Sequence, residues 1–120
     1  MRRALLLLFA LACFLLPPAL ARASHTMAGA QNVVVKETDF KIRLLPTPKA
    51  GHVRFTVQNR GKTNHDLWIR GGGTTVHTKL LKPGKSAVLT TTLKKGVRYH
   101  FWCHFDAHAA LGMSVYVRPR

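Results

Sequence analysis

From residue 32 onward, apolar and polar positions alternate in short runs with a period of two, the repeat of a strand with one buried face. Eight such runs stand out: "VVVKE", "FKIRLL", "HVRFTVQN", "HDLWIR", "TVHTKL", "SAVLTTTL", "VRYHFWC" and "MSVYVR". Each is rich in β-branched or aromatic residues. Turn formers separate them, among them Pro46-Thr47-Pro48, Asn59-Arg60-Gly61, the triple glycine from Gly71, Lys82-Pro83-Gly84 and Lys95-Gly96. No stretch of this region has the apolar spacing of an amphipathic helix. About eight strands and no substantial helix predict an all-β domain over 32–120, either a sandwich or a small barrel.

The first part of the chain breaks this pattern. Met1-Arg2-Arg3 is basic, Ala4 to Leu16 is an apolar run, and Ala21-Arg22-Ala23 has the small-x-small form of a cleavage site. Residues 1–23 therefore read as a secretory signal peptide, and "SHTMAGAQ" over 24–31 as a loose N-terminal lead. The apolar run is too short for a membrane span, which takes roughly 20 residues. Ala10-Leu11-Ala12-Cys13 has a loose likeness to a lipid-attachment motif, but it lacks leucine at its first position.

Export changes how the rest is read. Without the leader, sixteen basic residues face four acidic ones, a net charge of +12. In an exported protein that balance points to an acidic protein partner or an anionic membrane surface, and not to nucleic acid. Cys103 becomes the single cysteine of the mature chain, so no internal disulfide can form. Its thiol is then an inert core group, a reactive or intermolecularly paired group, or a metal ligand.

The segment "CHFDAHAALGM" decides among these. Alternation in "VRYHFWC" puts Val97, Tyr99, Phe101 and Cys103 on the apolar face, so the thiol points inward at the end of a strand. His104 points the other way. A short turn through 105–107 brings His108 back towards the sulfur, and Met113 opens the last strand. Thiolate and thioether suit Cu(I) and imidazole suits Cu(II), so this donor mixture favours copper that cycles between the two states. Structural zinc is a poor match for one cysteine and a methionine. A further histidine is available in "NRGKTNHDLWI", where His65 heads a run whose inward face is His65, Leu67 and Ile69. His25, His52, His77 and His100 have no ligand partner at a useful spacing, and Trp68, Trp102 and Phe101 read as packing residues.

With these residues in view, the chain resembles the cupredoxins, small exported blue copper proteins of the plastocyanin and azurin type. The blocks "ETDFKI", "AGHVRFTVQNRGKTNHDLWI", "LKPGKSAVLTTTL" and "YHFWCHFDAHAALGMSVYV" fall in the family's order, with Asn64-His65 upstream and Cys103-x4-His108-x4-Met113 downstream. The resemblance implies a Greek-key β-sandwich holding one mononuclear type 1 copper. His65, Cys103 and His108 would bind in the plane and Met113 as a weak axial ligand. It also implies a monomeric one-electron carrier, not an enzyme; the net charge of +12 adds the expectation that its redox protein partner has an acidic docking surface. Peripheral contact with an anionic membrane is a further expectation from charge. A copper storage or delivery protein uses the same ligands, and a cysteine hydrolase is the enzymatic alternative. One departure is notable. Where the family has asparagine after the upstream histidine this chain has Asp66, and where close relatives often have proline after the cysteine it has His104. The two are expected to pair across the ligand loops.

Overall fold

The computed structural model describes residues 29–120. The signal peptide expected over 1–23 and most of the lead over 24–31 lie outside the described residues. Eight strands are formed: β1 (Gln31–Thr38), β2 (Lys41–Leu45), β3 (Gly51–Asn59), β4 (Trp68–Gly71), β5 (Thr74–His77), β6 (Ser86–Leu93), β7 (Tyr99–Trp102) and β8 (Ser114–Val117). Each overlaps one of the runs read from alternation, and no helix occurs among the described residues. β1 begins at Gln31, inside the expected lead, where the Gln31 side chain is tied to the backbone N–H and carbonyl of Lys49 at 2.8 and 2.7 Å.

Two four-stranded sheets, β2-β1-β3-β6 and β5-β4-β7-β8, make a Greek-key β-sandwich. The chain changes sheet on going from β3 to β4, from β5 to β6 and from β6 to β7, while β1 runs parallel to β3. Inward side chains from both sheets form one core: Val33, Val35, Val53, Phe55 and Val57 from the first, Ile69, Tyr99, Phe101 and Val117 from the second. Phe55 and Phe101 meet edge-to-face across it, ring centroids 5.6 Å apart. One acid shares this interior. Alternation along β1 places Glu37 on the same face as Val33 and Val35, and its carboxyl is fully buried with neither oxygen hydrogen-bonded.

The run "HDLWIR" is shorter as a strand than its pattern suggests. Pairing with β5 and β7 begins only at Trp68. His65 instead makes an isolated bridge to Leu81, with N···O distances of 3.0 and 2.7 Å. The inward alternation nevertheless persists, and His65, Leu67 and Ile69 are all buried.

Candidate metal centre

Three segments meet at one end of the sandwich. The first, between β3 and β4, is folded around the buried Asn59. Its amide donates to the carbonyls of Thr63 and Leu81, both at 2.8 Å, and its side-chain oxygen accepts the Gly61 N–H at 2.9 Å. Together with the Leu81 bridge this fixes His65. The second segment follows β7. The Cys103 N–H donates to the Met113 carbonyl at 3.0 Å, and the Met113 N–H to the His108 carbonyl at 3.0 Å. Cys103, His108 and Met113 are thus cross-linked through their own backbones, and Met113 is fully buried. The third segment is the β1–β2 turn, Asp39-Phe40, with Phe40 at φ 64°.

His65 Nδ1, His108 Nδ1 and Cys103 Sγ converge in the interior. The two nitrogens are 3.2 Å apart, and the sulfur lies 3.8 Å from His65 and 3.7 Å from His108. A point inside this triangle lies about 2.1 Å from all three atoms, which is within bonding range for nitrogen and slightly short for sulfur around a divalent metal, at ~2.0–2.1 and ~2.3 Å. The donors therefore already stand where a single trigonal ion needs them. Burial holds the His65 imidazole below the ordinary histidine range, offset in part by Asp39, which leaves its metal-facing lone pair free at neutral pH. Burial also pushes the Cys103 thiol up to about 11, so that a metal must displace its proton.

Asp39 was not legible as a site residue, because nothing in sequence links a turn acid to a histidine 26 residues away. His65 Nε2 donates to Asp39 Oδ1 at 3.1 Å, and the same carboxylate accepts the N–H groups of Lys62 and Thr63 and the Thr63 hydroxyl. Those bonds, the Lys62 N–H foremost, hold Asp39 below the usual carboxylate range. The carboxylate fixes the His65 tautomer and ring plane. Gly61 is required here, because a Cβ at that position would collide with Asp39 Oδ1 and His65 Nε2. Gly112 is required at φ +117°, where a Cβ would stand 2.9 Å from the Phe40 carbonyl. Phe40 in turn packs edge-on against the His108 ring at 5.7 Å. Replacing Asp39 by alanine is expected to weaken metal binding by about 10- to 100-fold, the usual effect of removing such a partner. A competition titration with a chelator checks this, and unchanged affinity would show that the loop alone orients His65.

Asp66 and His104 meet differently from the expected side-chain pair. Asp66 Oδ1 accepts the backbone N–H groups of His104, at 2.6 Å, and Phe105, at 3.2 Å, while Oδ2 accepts the Trp68 indole N–H at 2.9 Å. The acid does join the two ligand loops, but through amides. The His104 imidazole is exposed and leans on the Trp68 ring, centroids 5.1 Å apart. An acceptor-only side chain facing two backbone donors satisfies both, so no imidazole is needed.

The model of the cupredoxin-like domain matches residues 4–115. The chain belongs to the cupredoxin family. This cupredoxin has two auracyanins among its structural neighbours. Dithionite-reduced auracyanin from the photosynthetic bacterium Roseiflexus castenholzii has a TM-score of 0.64 at 20% identity, covering 77% of this chain and 99% of that one. Auracyanin B has a TM-score of 0.62 at 18% identity, covering 76% and 89%. At such identities they share the fold. No curated protein sequence matches the chain. In this cupredoxin, His65, Cys103 and His108 are positioned to bind a single copper ion.

Proposed function

We propose that this cupredoxin is an exported, monomeric type 1 copper protein that passes single electrons between redox proteins and catalyses no reaction of its own. The observation that carries the reading is the buried triangle of two imidazole nitrogens and one sulfur, with donor separations of 3.2 to 3.8 Å. Copper bound there supplies a reversible one-electron couple. The protein's part is to hold the donors still. His65 is clamped by Leu81 and Asp39, and the other loop by the hydrogen bonds among Cys103, His108 and Met113. All four of these residues are buried, His65, Cys103 and Met113 completely, so water and substrate are kept from the centre. Donors that need little movement between oxidation states suit electron transfer and suit metal release poorly. Met113, tied through its backbone to Cys103 and His108, would supply a weak thioether ligand.

The decisive experiment is to add Cu(II) to the purified mature protein and record its visible spectrum and its copper off-rate to a chelator. An intense blue or green band with slow release supports the carrier, whereas rapid release would favour copper delivery. Met113→Leu is expected to retain the coloured centre with a higher reduction potential, since an axial thioether tunes potential more than it holds metal. Loss of all copper from that variant, measured by metal analysis, would make Met113 a primary ligand.

A further inference from the structure

The outer face of sheet β5-β4-β7-β8 is neither core nor an ordinary solvated strand surface. Register sets Trp68 beside both His77 and Trp102, and His100 beside both Arg70 and Tyr116. The His77 imidazole lies flat on Trp68, centroids 4.1 Å apart and planes 10° apart. Trp68 reaches Trp102 at 5.9 Å, and His100 stacks on Trp102 at 4.6 Å and on Tyr116 at 4.5 Å. Five rings thus form an unbroken row across all four strands. The Arg98 guanidinium sits 3.8 Å over Tyr116 and that of Arg70 5.4 Å from the centre of Trp102.

The row begins at the metal centre. Trp102 is covalently joined to Cys103, and the Trp68 indole N–H bonds to Asp66, the neighbour of His65. It is also cationic. Arg70 and Arg98 are exposed along it, and the nearest carboxylate, Asp66, is consumed by three N–H donors. Partly exposed flat rings with guanidinium groups gain by covering, and the guanidiniums select a carboxylate-bearing cover. The end of the sandwich around His108 lacks this cationic character. Phe40 and Leu111 are 45% and 57% exposed there, and the exposed Asp106 carboxylate stands two residues before the ligand. The exposed Lys41 and Lys62 offset Asp106 and Asp39 there, so that end has no net charge to draw an acidic partner, whereas the arginines of the ring face do.

We propose that this row of rings is the docking face for a one-electron partner protein with an acidic surface, and that electrons cross there. The inference rests on the electron-carrier reading. The exchange moves one electron and no proton or bond: the partner's centre is oxidised as Cu(II) becomes Cu(I), or the reverse.

The test uses cytochrome b5, an acidic one-electron haem protein, as probe. Titrating the oxidised cytochrome into the 15N-labelled Cu(I) protein at low salt should shift the amide signals of Arg70, Arg98, His100 and Tyr116, and salt at several tenths molar should abolish the shifts. In stopped flow, Arg70→Glu with Arg98→Glu should slow reduction of the Cu(II) protein by the reduced cytochrome at least about tenfold at low ionic strength while leaving its colour intact. Arg43→Glu with Arg54→Glu makes the same charge change on exposed positions of the other sheet and should slow it far less. Equal slowing by both pairs, or shifts centred on Phe40 and Leu111, would overturn the proposal. So would binding of phosphatidylglycerol vesicles through Arg70 and Arg98 without a response to the cytochrome, which would assign the face to a membrane. A protein that takes up no coloured copper would fail the carrier reading instead, and the shift map run on the metal-free protein would still decide the docking face.

Discussion

Cys103→Ser is expected to lose the intense visible absorption of the copper-loaded protein altogether. That absorption arises from charge transfer between a thiolate and Cu(II), and Cys103 Sγ is the one sulfur in the donor triangle with His65 and His108. A serine hydroxyl is smaller and harder, and the site that remains has only the faint colour of nitrogen and oxygen donors. The same substitution should alter how copper binding depends on pH. Burial pushes the Cys103 thiol up to about 11, so uptake at neutral pH releases its proton, and apparent affinity in the wild type should rise about tenfold per pH unit. The serine variant has no such proton to lose, and its profile should be flatter. Spectra and affinities of both proteins from pH 6 to 8 check the two effects. A serine variant as blue as the wild type would show that Cys103 is not a ligand.

The second large effect concerns Glu37, which no reading of the ligand loops would pick out. Its carboxyl is fully buried, neither oxygen is hydrogen-bonded, and burial, aided by the negative charge of Asp66, raises its pKa from 4.5 to about 8. In the folded protein Glu37 is therefore protonated at pH values where the unfolded chain is already ionised. An acid with a raised folded-state pKa makes the unfolded state bind fewer protons, so stability falls as pH rises. The loss begins near 4.5, is complete near 8, and is on the order of 5 kcal/mol. Glu37→Gln keeps the shape of the neutral acid without its proton. It should match the wild type near pH 4 and exceed it by several kcal/mol near pH 8, a difference in which every group common to both proteins cancels. Urea unfolding of the metal-free proteins at both pH values measures it. A wild-type-minus-variant difference that does not change with pH would mean that Glu37 is ionised in the fold.

Much of this protein is determined by its sequence alone, for local reasons. Strand alternation depends only on which neighbours are apolar, so all eight strands and the inward direction of Phe101, Cys103, Leu67 and His65 follow from a period of two. The Cys-x4-His-x4-Met spacing is likewise local, since one short loop brings His108 back to the sulfur and ties Met113 to both. Tertiary structure decided what depends on distant segments meeting. Asp39 orients His65 because the β1–β2 turn docks against the loop after β3. Asp66 joins the ligand loops through the amides of His104 and Phe105, because the backbone there presents two donors to an acceptor-only side chain. Trp68 and Trp102, which read as packing residues, lie half-exposed in a row with His77, His100 and Tyr116, because sheet register, and not any single strand, sets who stands beside whom. Glu37 sits in the core because alternation carries β1 inward at that position, and only tertiary packing over it removes the water that would have kept it charged.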